Sequence, residues 1–192
     1  MKLATRSRGY LPHLESDGAI YFATFRLADS LPRALVEQLR TERQAVERTV
    51  RETTGGAADQ SRATKLRAIV RKAERCLDGG QGSCHMRDPR IAKIVCDAIR
   101  FFESKRYRLF AWCVMPNHVH VVFSPLPGFE LESILHSWKS FSAKEVNQRL
   151  KRQGHFWQRE YFDHLVRSES SLKRTNPERA GLRDWPWVGV GS

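Results

Sequence analysis

The sequence predicts an α+β fold, an antiparallel sheet with its helices on one face. Three observations carry this expectation. First, Ile20–Arg26, Tyr107–Met115, His118–Ser124 and Tyr161–Arg167 are short runs rich in aromatic and β-branched residues, the composition of strands. Second, helical apolar spacing runs from Asp88 to Phe102 and again from Leu131 to about Arg152, so the order is βαββαβ. Third, 192 residues with 41% hydrophobic content suit one domain with an ordinary core. That order is the ferredoxin-like plan, an antiparallel sheet whose second face can stay open.

Each element has a local reason. Asp17-Gly18 is a turn signal before the first strand. Ser30-Leu-Pro-Arg33 opens a helix with a capping serine and an early proline, and it extends to about Arg51. Thr53-Thr-Gly-Gly breaks it, and a second helix is expected from about Arg62 to Leu77, ended by Gly79-Gly80. These arginine-rich helices form a helical-hairpin insertion after the first strand, at about 31–80. Asp88-Pro89 is an N-cap followed by proline at the first helical position. Ile91, Ile94, Val95, Ala98, Ile99 and Phe102 then mark one buried face. Pro116-Asn117 joins two strands as a hairpin. In the helix from Leu131, the expected inward residues are Ile134, Leu135, Trp138, Phe141 and Leu150. The region 168–192 is short and polar. The whole chain, 1–192, reads as a single domain.

The formal net charge is +12 and the pI about 10.1, which makes a polyanion the expected partner. No apolar run is long enough to span a bilayer, and the basic N-terminus is followed by no apolar segment of the signal-peptide kind. Cys76, Cys84, Cys96 and Cys113 lack CxxC spacing, so reduced thiols and a cytoplasmic location are expected. A zinc site at Cys76, Cys84 and His85 lacks a complete ligand set.

The chemistry centres on Asn117-His-Val-His120. A strand repeats every two residues, so His118 and His120 share one face while Val119, Val121 and Phe123 share the other. Two neutral imidazoles side by side can form part of a metal site. For a bare His-x-His the commoner reading is two partly buried histidines satisfied by hydrogen bonds. The basic residues that follow, Lys139, Lys144, Arg149, Lys151 and Arg152, are either a solvated helix face or phosphate contacts; Arg159 and Arg167 extend the set toward the last strand.

Several motifs, in order, resemble those of the REP-associated tyrosine transposases, a branch of the single-tyrosine HUH transposases of insertion sequences. They begin at Arg8-Gly-Tyr-Leu-Pro-His13, Tyr21-Phe-Ala-Thr-Phe-Arg-Leu27 and Arg87-Asp-Pro-Arg-Ile-Ala92. They continue at Trp112-Cys-Val-Met-Pro-Asn-His-Val-His120, His136-Ser-Trp-Lys-Ser-Phe141 and Gly154-His-Phe-Trp-Gln158. Glu160-Tyr-Phe-Asp-His-Leu-Val-Arg167, Asn176-Pro-Glu-Arg-Ala-Gly-Leu182 and Asp184-Trp-Pro-Trp187 complete the set. The resemblance implies metal-dependent cleavage and rejoining of single-stranded, often hairpin, DNA. It implies His118, His120 and Asn176 as ligands of Mg²⁺ or Mn²⁺, a homodimer as a possible assembly, and a tyrosine that attacks phosphorus.

The sequence departs from the family at that tyrosine. One turn before Asn176 stands Leu172, and no tyrosine follows Tyr161. The region 168–192 is shorter than the family pattern, as if part of the catalytic helix had been deleted. Tyr161 is the nearest substitute in the sequence. Two functions are therefore expected in competition: a transposase-family enzyme acting on single-stranded DNA, and a DNA-binding remnant without a nucleophile.

Overall fold

In the computed structural model the described residues are 4–7, 12–15, 18–51, 56–165 and 185–191. The chain divides into two compact units: Met1–Ala28 with Cys84–Ser192, and Asp29–Ser83.

In the first unit, β1 (Ala4–Ser7) and β2 (Pro12–Glu15) pair as a separate antiparallel hairpin. The main sheet is built from β3 (Tyr21–Arg26), β4 (Tyr107–Val114), β5 (His118–Pro125), β6 (Phe162–Leu165) and β7 (Val188–Val190). Its order is β6-β3-β5-β4-β7, and every neighbouring pair is antiparallel. Without β7 this is the expected ferredoxin-like arrangement, in which the two βαβ crossovers leave β3 and β5 at the centre. The fifth strand was not legible in the polar C-terminal region. β7 is three residues long and is held by its neighbours: Val114 N–H donates to Trp187 O (2.9 Å) and Trp185 Nε1 donates to Val114 O (2.7 Å). Gly189 is required there, because a Cβ would come within 2.5 Å of the Trp112 ring.

The helices α3 (Pro89–Arg100) and α4 (Leu131–Arg149) pack on each other and bury one face of the sheet. Asp88 caps α3 by accepting from Arg90 N–H (2.9 Å), and Pro89 occupies the first turn, where its missing N–H costs nothing. Ile91, Val95 and Ile99 are buried against Tyr21, Ala23 and Phe25 of β3 and Val119, Val121 and Phe123 of β5 in one apolar cluster. The polar ends of buried aromatics are satisfied within it. Trp138 Nε1 donates to Tyr107 Oη (2.8 Å), which donates to Ile99 O (2.7 Å); Trp157 Nε1 donates to Ser142 Oγ (2.9 Å).

α4 corrects part of the expected pattern. Its buried stripe is Leu131, Ile134, Leu135, Trp138, Ser142 and Val146, whereas Phe141 is 52% exposed and Leu150 37%. The stripe advances by four residues from Trp138, which places Phe141 off the packed face. Apolar character alone chose the wrong residue over Ser142, whose hydroxyl is needed by Trp157.

The second unit contains α1 (Arg33–Arg51) and α2 (Gly56–Asp78), the expected helical pair, with α2 starting earlier than its arginine-rich part suggested. The two helices pack together, and Lys72 Nζ meets Glu42 Oε1 at 2.6 Å. The ends of the unit close on each other: Ser83 N–H donates to Asp29 O (3.0 Å), and Gly82 adopts φ +94° where a Cβ would strike Ser30 O. Among the described residues no helix is long and apolar enough to cross a membrane. All four cysteines are free thiols.

Candidate metal and nucleic-acid site

The hairpin β4–β5 positions the histidines. Met115 N–H donates to His118 O (2.8 Å), so Pro116-Asn117 is the two-residue turn, and β5 begins on His118 itself. Leu27 N–H donates to Asn117 O (2.9 Å), tying that turn to the end of β3. Register then sets Thr24 opposite His120 and Arg26 opposite His118, all on the face away from α3 and α4.

The ferredoxin-like plan allows this face to stay open. It is instead largely buried: Phe22 is 5% exposed, Thr24 8%, Val122 0% and His118 1%, while His120 is partly exposed. Buried imidazoles need partners, and both have them. His118 Nδ1 meets Asn117 Oδ1 at 2.7 Å; that oxygen only accepts, so Nδ1 carries the proton and Nε2 presents its lone pair. His120 Nδ1 meets Thr24 Oγ1 at 2.8 Å, and its ring stacks on Phe22 with centroids 5.3 Å apart. A hydroxyl both donates and accepts, so Thr24 suits either tautomer of His120.

The two Nε2 atoms converge to 2.9 Å. In the ion-free form His120 Nε2–H donates to the bare His118 Nε2. Two adjacent ligands of an octahedral ion at about 2.1 Å are about 3.0 Å apart, so the pair already has the spacing of ligands to one ion. Holding an ion at Nε2 would call for the other His120 tautomer, with the proton on Nδ1 and Thr24 Oγ1 as its acceptor. Desolvation favours this use. Burial, and then the neighbouring His120, holds His118 well below the usual imidazole range, and burial lowers His120 to about 4. Both rings are neutral near pH 7, as metal ligands must be. The donor set and its spacing therefore fit a divalent ion.

Arg26 was not among the residues expected at the site. It shares the histidine row and is largely desolvated, which lowers its pKa without discharging it. Thr24 and Asn117 were also missed as positioning residues. Their signal was the strand register and the turn, and neither can be read from residue type alone.

The other expected residues divide. Lys139 lies on α4 but turns inward: Nζ donates to Gln158 O (2.9 Å) and Arg159 O (2.8 Å), and burial lowers its pKa to about 8. It pins the segment that leads into β6, and it sits 5.7 Å from the Tyr161 ring. Lys144, Arg149, Lys151 and Arg159 are exposed. Arg152 is partly buried and donates to His85 Nε2 (2.9 Å). Asn176 and Arg167 lie outside the described residues.

Residues 87–175, just under half of the chain, match the family model described as IS200-like transposase. That segment includes α3, the β4–β5 hairpin with both histidines, and α4. A comparison with curated proteins finds no match. Among solved structures, the chain is similar to a REP-associated tyrosine transposase bound to a REP hairpin, at 14% identity and TM-score 0.49, over 96% of this chain and 82% of that one. It is also similar to a candidate transposase from Deinococcus radiodurans, at 12% identity and TM-score 0.34, over 91% and 92%. Both likenesses are too distant to bear weight, so the assignment rests on the family model and on the hairpin it covers. The likeness to the IS200-like transposases, the family its motifs resemble, is therefore carried by residues 87–175, the segment that holds both histidines.

Proposed function

We propose that this chain binds single-stranded, hairpin-forming DNA and holds one of its phosphates at the His118–His120 pair for metal-dependent cleavage and rejoining. The observation that carries this reading is the 2.9 Å convergence of two neutral, pre-oriented imidazoles within the matched transposase segment. A divalent ion, Mg²⁺ or Mn²⁺, would supply Lewis-acid polarisation of a non-bridging phosphate oxygen there. His118 and His120 would hold it, with Asn176 as the third ligand implied by family resemblance. Asn117 and Thr24 orient the rings, as hydrogen-bonded partners of metal-binding histidines do. Arg26, beside His118, supplies positive charge for the phosphate.

Sequence-independent contacts to the DNA backbone fall to the exposed Lys144, Arg149, Lys151 and Arg159 and to Arg152, with Arg167 added from the sequence alone, while Lys139 positions the segment that leads into β6. The domain organisation in this reading is one HUH unit interrupted by the α1–α2 pair. A homodimer in the cytoplasm, where thiols stay reduced, completes it.

The nucleophile separates enzyme from remnant. Leu172 stands where the family's tyrosine is expected, and Tyr161 is the remaining tyrosine near the motif. Labelled hairpin DNA incubated with Mn²⁺ and run on a denaturing gel decides between them. A covalent band abolished by Tyr161→Phe makes the chain an enzyme with Tyr161 as nucleophile. Salt-sensitive binding without a band selects the DNA-binding remnant. Calorimetry should show Mn²⁺ binding lost in the His118→Ala, His120→Ala double variant; unchanged affinity removes the metal site.

A further inference from the structure

At the other end of the sheet, α3 runs into a tight turn that displays aromatic rings among cations. Phe101 is 71% exposed and Phe129 41%, so much of each ring faces solvent. Phe101 stands edge-on against Phe102, with centroids 4.7 Å apart at 85°. The Arg106 guanidinium caps the Phe102 ring at 3.6 Å and lies 6.0 Å from the Phe129 ring.

The turn is firmly built. Lys105 N–H and Arg106 N–H both donate to Phe102 O (3.1 and 3.0 Å), and Ser104 takes φ +60° with its N–H on Tyr107 O (2.8 Å). Leu126 N–H donates to Arg106 O (3.0 Å), which carries the loop with Phe129 alongside. Arg100 and Lys105 are exposed on the same turn. The rings are therefore presented in place, with little left to order on binding.

We propose that Phe101 and Phe129, linked through Phe102 and the Arg106 guanidinium that caps it, form a stacking platform for unpaired bases of single-stranded DNA, separate from the histidine site. Six residue steps along β5 and its end, from His120 to Leu126, put it about 20 Å away. Exposed aromatics offer every base a face, and Arg100, Lys105 and Arg106 offer the backbone cations. That charge argues for a polyanion over an apolar protein surface. The platform rests on the proposed DNA-binding function, and gives it a second contact that holds strand flanking the scissile phosphate.

The test is fluorescence anisotropy with an unstructured oligothymidine of about a dozen nucleotides, and with a blunt hairpin lacking unpaired ends. Phe101→Ala should weaken oligothymidine binding about 5- to 10-fold, Phe101→Trp should restore it, and blunt-hairpin affinity should not change. Equal oligothymidine affinity for the wild type and Phe101→Ala overturns the platform but leaves the histidine site standing. Failure of the wild type to bind either DNA overturns the platform together with the proposed function. Conversion of a dimer to a monomer by Phe101→Ala in sedimentation, with DNA affinity intact, makes the patch a self-association surface and overturns the platform. Phe101 is exposed, so its variants keep the fold.

Discussion

The two faces of β5 are buried by different physics. On one, Val119, Val121 and Phe123 are each 0% exposed in the apolar cluster under α3 and α4. On the other, His118 is 1% exposed, yet its ring is polar and needs Asn117 and His120 as partners. Burial of the apolar face stabilises in proportion to area. Burial of the imidazole face costs desolvation, which hydrogen bonds offset and which keeps both rings uncharged. One face therefore holds the fold, and the other keeps ligands neutral and aimed. Damage to the first should remove the protein, and damage to the second should remove a property of it.

The largest effect should come from Phe123→Ala. It leaves a cavity among Tyr21, Tyr107 and Trp138, and should cost about 3–5 kcal/mol in chemical denaturation. A loss well under 1 kcal/mol would mean that the helix-covered face is not the main source of stability.

Next, Thr24→Val keeps the shape of the side chain and removes the partner of His120 Nδ1. Mn²⁺ affinity should fall about 10- to 100-fold by calorimetry, with the melting temperature little changed. Unaltered affinity would show that His120 needs no partner to reach its metal-binding tautomer.

The third effect is in acid. The folded pKa of His120, about 4, lies below the unfolded value of about 6.5, so between them the unfolded chain binds protons that the folded one does not. In ion-free protein this contribution to stability is fully present above about pH 6.5 and is lost as pH falls toward 4. The denaturation midpoint should decline through that window, and replacing both histidines with glutamine should flatten the decline. An equal slope in that variant would assign the acid sensitivity elsewhere.

Periodicity and turn chemistry made much of this molecule legible. Two-residue alternation placed His118 and His120 opposite Val119 and Val121, and Asp88-Pro89 and Pro116-Asn117 marked where α3 and β5 begin. These signals are local, because dihedral preference and side-chain direction act within a few residues. What failed was non-local. β7 could not be read from a polar tail, since its hydrogen bonds belong to β4; Phe141 was exchanged for Ser142 because only packing says which residue meets Trp157.

The sequence alone determined the order of elements, the sharing of one strand face by two histidines, the excess of positive charge and the transposase motifs. Tertiary structure decided the rest of the site. Pairing of β3 with β5 brought Thr24 and Arg26, about a hundred residues earlier in the chain, beside His120 and His118. The face that the fold plan allows to stay open is largely buried, and desolvation there, which no residue type encodes, keeps the two imidazoles neutral.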